Sequence, residues 1–103
     1  MKMTKTKELL CKIGLAKKAG GLLSGTDIVC SGIRERKVLV VIASSGLSEN
    51  TAKRLSDRCR YYDIRLIACE ASKEELGAAI GKPFTACVGI TDKNLSELIC
   101  RNL

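Results

Sequence analysis

The sequence predicts an α/β/α sandwich around a largely parallel sheet with one antiparallel strand, and three observations lead there. Apolar residues at helical spacing alternate along the 103 residues with short extended runs, in the order α β α β α β α β α. Val38 to Ala43 is a β-branched, almost wholly apolar run, which marks a central strand covered on both faces and so requires helices on both sides. A hydrophobic content of 46% is enough to fill one core of this size and leaves no room for a second domain, so residues 1–103 are expected to form one unit.

Leu9, Leu10, Ile13 and Ala16 recur at helical spacing while Lys5, Lys7, Lys12 and Lys18 fall outside the stripe, predicting an amphipathic helix over 5–19 that Gly20 and Gly21 end. Leu22 and Leu23 form a short extended piece. In Ser24-Gly25-Thr26-Asp27, Ser24 is placed to cap a helix running to about Glu35, with Asp27 at its positive end. The strand Val38–Ala43 stops at Ser44-Ser45-Gly46. Ser48 then caps a helix with Thr51, Ala52, Leu55, Cys59 and Tyr62 inward and Arg54 and Arg58 as an exposed basic row, closed by Asp63.

Arg65 to Cys69 is another strand. Ser72-Lys73-Glu74-Glu75 is a capping box opening a helix to Gly81, and Lys82-Pro83-Phe84 is a loop. Thr85 to Ile90 is the last strand, and Thr91-Asp92 begins a helix that turns Leu95, Leu98, Ile99 and Leu103 inward.

Eighteen Lys and Arg against eleven Asp and Glu leave a net charge of +7 and a pI near 9.3, a balance that draws the chain toward polyanions through counterion release. The longest uninterrupted apolar stretch is six residues where a membrane span needs about twenty, so no membrane partner is expected. Six cysteines (Cys11, Cys30, Cys59, Cys69, Cys87 and Cys100) each sit in an apolar run and read as small core residues of a reducing cytosol. With no C-x-x-C spacing and no histidine, no metal is expected. Nor do the carboxylates, lysines and cysteines group into an acid/base or nucleophilic site, so no cofactor and no catalysis are expected.

Gly20 to Thr26 has the glycine spacing of a phosphate loop, but Thr26 stands where that motif needs lysine. Glycines that end one helix and turn into the next element account for it more simply. An anion would still find free N–H groups where Gly25 to Ile28 opens a helix, expected to lie next to Lys18 and Lys37.

Gly14-Leu15-Ala16-Lys17-Lys18-Ala19-Gly20, Ser24-Gly25, Val40-Val41-Ile42-Ala43, Ser48-Glu49-Asn50-Thr51, Leu76-Gly77-Ala78-Ala79-Ile80-Gly81 and Ile90-Thr91-Asp92 follow one another as in a known family. On these segments, which span nearly the whole chain, the sequence resembles the kink-turn RNA-binding ribosomal proteins, most of all their bacterial YlxQ-type members. The resemblance implies a four-stranded mixed sheet between helices, with RNA held by the second helix's N-terminus, here Gly25 to Ser31, and by the loop before the last strand, here Lys82, Pro83, Phe84 and Thr85.

In that family the helix commonly begins Gly, any residue, Asn, Glu, two residues, Lys. Here Gly25 keeps the glycine and Thr26 the variable place, whereas Asp27, Ile28 and Ser31 stand for the asparagine, glutamate and lysine. Asp27 accepts a hydrogen bond but donates none, and Ile28 offers no polar group to a guanine edge. Phe84 reads either as a stacking face for an unpaired base or as a core anchor. Asp27 reads either as a contact or as a helix cap.

The resulting expectation is non-catalytic binding of structured RNA, probed by shape and charge since only 3% of residues are aromatic, with Lys17, Lys18, Arg34, Lys37 and Lys82 on phosphates. The implied partners are ribosomal RNA and ribosomal or other translation proteins, for a monomer in the cytoplasm. The alternative is a protein-interaction module on the same fold that has lost RNA recognition, which an exposed apolar patch would mark.

Overall fold

The structure, a computed structural model, describes residues 4–101. Helices α1 (Lys5–Lys18), α2 (Thr26–Arg34), α3 (Glu49–Tyr61), α4 (Lys73–Ala79) and α5 (Lys93–Cys100) alternate with strands β1 (Leu22–Ser24), β2 (Val40–Ala43), β3 (Arg65–Ala68) and β4 (Cys87–Ile90). The expected order is the observed one, and the α/β/α sandwich around a four-stranded mixed sheet is the architecture. The expected inward turn of Leu103 lies outside the described residues.

Sheet order is β1-β4-β2-β3. β4 runs antiparallel to both β1 and β2, while β2 and β3 pair in parallel. One strand is therefore reversed, as expected, but it lies inside the sheet, so the largely parallel pairing is corrected to a mixed sheet in which two of three pairings are antiparallel. Burial explains the placement. Every residue of β4 and β2 is buried, so these strands need a neighbour on each side and cover on each face. β1 has only three residues and β3 is exposed at both ends, which suits edges.

Alternation divides the core in two. Val40, Ile42, Val88 and Ile90 face Leu9 and Ile13 of α1, Leu76 of α4 and Ile99 of α5. Val41, Ala43 and Cys87 face Val29 and Ile33 of α2 and Leu55 and Cys59 of α3. Val38 is buried ahead of β2, and the Leu39 N–H still donates to the Ile90 carbonyl at 2.8 Å, so the expected six-residue strand survives as a four-residue ladder with an inward lead-in.

Three caps act as drawn from the sequence or close to it, and Thr4 adds a fourth that the sequence reading did not name. Ser48 accepts from the Thr51 N–H, Ser72 and Glu75 form the reciprocal capping box, Asp92 accepts from the Leu95 N–H, and Thr4 accepts from the Lys7 N–H. Ser24 does not cap α2, because it is the last residue of β1. Gly25 takes the cap position instead, at φ +94°, a backbone conformation that suits glycine.

Since β1, β2 and β3 run the same way against β4, one end of the sheet gathers Gly25, the Ser44–Ser48 turn, the lead into α4 and the loop before β4. Main-chain bonds join these pieces: Gly25 N–H to the Cys87 carbonyl (3.1 Å), Ser44 N–H to Ala86 (2.9 Å), Ser45 N–H to Ala71 (2.8 Å) and Thr85 N–H to Lys73 (3.0 Å). The loop also lies so close on α4 that a Cβ at Gly77 would come within 2.5 Å of the Phe84 Cα and 2.8 Å of the Lys82 carbonyl oxygen. Gly77→Ala is expected to destabilise by about 1–3 kcal/mol, the usual cost of overpacking, and to displace residues 82–84. A denaturant midpoint equal to that of the wild type would contradict this packing.

Candidate nucleic-acid interface

α2 begins without a side-chain cap, alone in this among the described helices. The first N–H groups of a helix have no carbonyl one turn back, so its start carries open donors and the positive end of the helix dipole. Lys82 stands beside it: its Nζ donates to the Ser24 hydroxyl at 2.9 Å, which ties the loop's ammonium to the residue before Gly25. On the other side, Arg54 of α3 donates from Nη1 to the Asp27 carboxylate at 2.7 Å. That hydrogen bond is the leading cause of a guanidinium pKa raised above its ordinary value. Asp27 is thus neither cap nor bare anion, because its charge is matched by an arginine with further N–H groups to offer.

The remaining expected residues fall into three places. Thr26, Ile28 and Ser31 belong to the same helix, with Ile28 55% exposed and Ser31 half-buried, and Pro83 and Phe84 stand exposed on the loop. Phe84, 65% exposed, is a surface ring and not a core anchor. Thr85, expected to open the last strand, lies in the loop ahead of β4; it is only 5% exposed and its hydroxyl donates to the Cys87 carbonyl at 3.0 Å, so its side chain faces inward and not toward a ligand.

Lys18, Arg34 and Lys37 do not lie beside the start of α2, where Lys18 and Lys37 were expected. Lys18 precedes β1 and Lys37 precedes β2, at the sheet end opposite Gly25, and Arg34 ends α2 about 13 Å from its start. Lys37 and Glu35 lie 3.8 Å apart. Lys37 and Asp27 do border one shallow depression along the outer side of α2, but Lys37 is at its far end. Lys17 and Lys18 instead rim an apolar groove of about 900 Å³ between α1 and α4, where Leu15 and Cys11 are exposed.

Arg54 is the residue that sequence reasoning left out of the interface. It was legible only as part of an exposed basic row, and nothing local announces that α3 packs its row against the first turn of α2.

The cysteines divide the same way. Cys30, Cys59 and Cys87 are buried as expected, but Cys11 is exposed, because Leu9 and Ile13 set the inward stripe and Cys11 lies about 200° round the helix from each. Burial pushes the Cys59 thiol up to about 11 and the Cys87 thiol up to about 12, and it raises Cys69 too. Among the described residues no three Cys, Asp or Glu side chains come together as metal ligands.

The sequence profile of the Ribosomal protein L7Ae/L30e/S12e/Gadd45 family matches residues 7–99. The chain belongs to this family. Within it, the chain is 36% identical over 85 residues to the RNA-binding protein YlxQ of Bacillus subtilis, covering 82% of this chain and 84% of that one. Identity to the YlxQ of Enterococcus faecium is 34% over 85 residues, 82% and 81% of the two chains. A solved protein of unknown function from Bacillus halodurans superposes with a TM-score of 0.85 at 32% identity, covering 90% and 93% of the two chains. The Giardia lamblia 15.5kD RNA binding protein shares the fold, with a TM-score of 0.83 at 16% identity over 98% and 86%.

Because Cys59 and Cys87 hold their protons above the 9.0 of a free thiol, the folded state binds more protons than the unfolded one at alkaline pH. Their contribution to stability is complete below about pH 9 and is lost as the pH rises through about 11 and about 12. Unfolding at stepped pH is expected to show that decline. In the native protein at pH 8, mass spectrometry after brief iodoacetamide treatment should find Cys11 alkylated and Cys59 and Cys87 intact. Equal labelling of all three would contradict the burial described.

Proposed function

We infer that this protein binds structured RNA without catalysing a reaction, as one RNA-binding domain of a ribosomal or ribosome-associated particle, and that its ligand is a kink-turn or a closely related bend. The observation that carries the reading is the uncapped start of α2, flanked by Lys82 on Ser24 and by Arg54 on Asp27, in a chain of the L7Ae family whose YlxQ relatives are named RNA-binding proteins. Free helical N–H groups take phosphate oxygens, and the two flanking cations add counterion release. Phe84 offers an open ring to an unpaired base. The absence of asparagine, glutamate and lysine at positions 27, 28 and 31 is offset by Arg54, which restores a donor and a positive charge from the neighbouring helix. The setting is the cytoplasm, where ribosomes work.

A protein-interaction role has one observation in its favour, the apolar groove between α1 and α4. It lies on the other face of the sheet from α2, so the two readings concern separate surfaces.

The test is a titration with a labelled kink-turn RNA and with a plain duplex of equal length, each at low and physiological salt under reducing conditions. Selective binding that survives physiological salt supports the reading. Equal affinities that collapse with salt mean charge attraction alone, and no binding at either salt puts the protein-partner reading first. Lys82→Ala and Arg54→Ala are each expected to weaken kink-turn binding by about tenfold and to lower the log–log salt slope by about 1. Lys37→Ala is expected to change neither.

A further inference from the structure

Tyr61 is 82% exposed, more than any other large hydrophobic side chain among the described residues, and the family-type interface leaves it unused. It closes a row on α3. Arg54, Arg58 and Tyr61 stand at i, i+4 and i+7, one face of the helix, and together they line a surface depression of about 480 Å³. The row begins at the guanidinium held by Asp27 beside the start of α2 and extends about 10 Å along α3.

The ring is positioned as well as exposed. Tyr61 meets the half-buried Tyr62 edge to face, with centroids 4.9 Å apart and planes at 69°. Tyr62 is itself covered by the Arg36 guanidinium, 5.9 Å from its centroid. One tyrosine is therefore packed between neighbours, and it braces the other, whose face stays open. Asp57 lines the same depression and forms no ion pair with Arg54 or Arg58 among the described residues, so it works against an anion there.

We propose that the Arg54–Arg58–Tyr61 face of α3 is a second RNA subsite, which takes one unpaired nucleotide flanking the structured element bound at α2. This rests on the RNA-binding reading above. Tyr61 stacks the base, and Arg54 and Arg58 hold the phosphates that lead to it from the α2 end. Stacking on an aromatic side chain tolerates any base, since each has a π-face, so the subsite selects for an unpaired flank and not for a sequence. An acidic peptide would pair with Arg54 and Arg58 but leave the open aromatic face, the feature that needs explaining, without a role.

The experiment compares two RNAs with the same kink-turn core, one blunt and one carrying five unpaired adenosines at an end of the core, with both ends tried. The wild type is expected to bind the extended RNA at least roughly fivefold more tightly, the low end for one stacked base. Tyr61→Ala should abolish that gain while leaving blunt-RNA affinity within about twofold, whereas Tyr61→Trp should keep the gain. Asp57→Asn should tighten the extended complex. An equal thermal midpoint for Tyr61→Ala would confirm that the fold is intact, as exposure of the ring leads us to expect. If both RNAs bind alike, or the gain persists in Tyr61→Ala, the subsite is overturned and RNA binding at α2 stands. If neither RNA binds the wild type, both fall together.

Discussion

β4 lies between β1 and β2 and runs against both, and from that single pairing arrangement the candidate interface follows. A reversed strand enters the sheet at the end where its neighbours leave it. The loop feeding β4 therefore opens beside the residue that ends β1 and starts α2. The Gly25 N–H on the Cys87 carbonyl, 3.1 Å, ties β4 to the start of α2, and the Ser44 hydroxyl on the Ala86 carbonyl, 2.8 Å, ties the residue before β4 to the turn after β2. Had β4 run parallel to β1, Lys82 and Ser24 would not meet. The all-buried character of Cys87 to Ile90 is what demands the central place, so the apolar content of one strand determines where a charged loop appears.

On that frame the charges are distributed unevenly. Lys82 and Arg54 reach the start of α2, each held by a short hydrogen bond, whereas Lys18 and Lys37 are carried to the opposite sheet end. The net charge of +7 says that the chain attracts polyanions but not where, and the two cations bonded beside the start of α2 give a location. A fixed cation orients a ligand better than a free one, because less side-chain freedom is lost on binding. The same consideration sets Asp27 in a new light. An unpaired carboxylate at a phosphate-binding helix start would repel, but one that clamps a guanidinium turns a loss into a positioned donor.

Much of the fold was legible. The stripes of α1 and α5, the caps Ser48, Ser72 and Asp92, and the run before Ala43 are local patterns, and local patterns determine element type. The errors came where the deciding partner was distant in sequence or where a side chain turned the other way on its own segment. Ser24 has the right composition for a cap, yet its pairing with Val88 makes it a strand end. Cys11 looks apolar, but Leu9 and Ile13 leave it on the outside. Thr85 belongs to the right loop, but its hydroxyl turns inward to the Cys87 carbonyl. Of the interface, the resemblance supplied Gly25 and the 82–84 loop. It did not supply Arg54, because the helix motif it carries covers only Gly25 to Ser31 and the contact spans 27 residues.

The central claim is that RNA is met at the sheet end where α2 begins. Amide chemical-shift mapping of the isotope-labelled protein with a blunt kink-turn RNA at physiological salt tests it most directly. The expected result is shifts confined to Gly25–Ser31, to residues 82–84 and to the turn and first half of α3 from Ser44 to Arg54. Shifts concentrated around Lys17 and Lys18 in the α1–α4 groove, or around Lys37 at the far end of α2, would contradict the account.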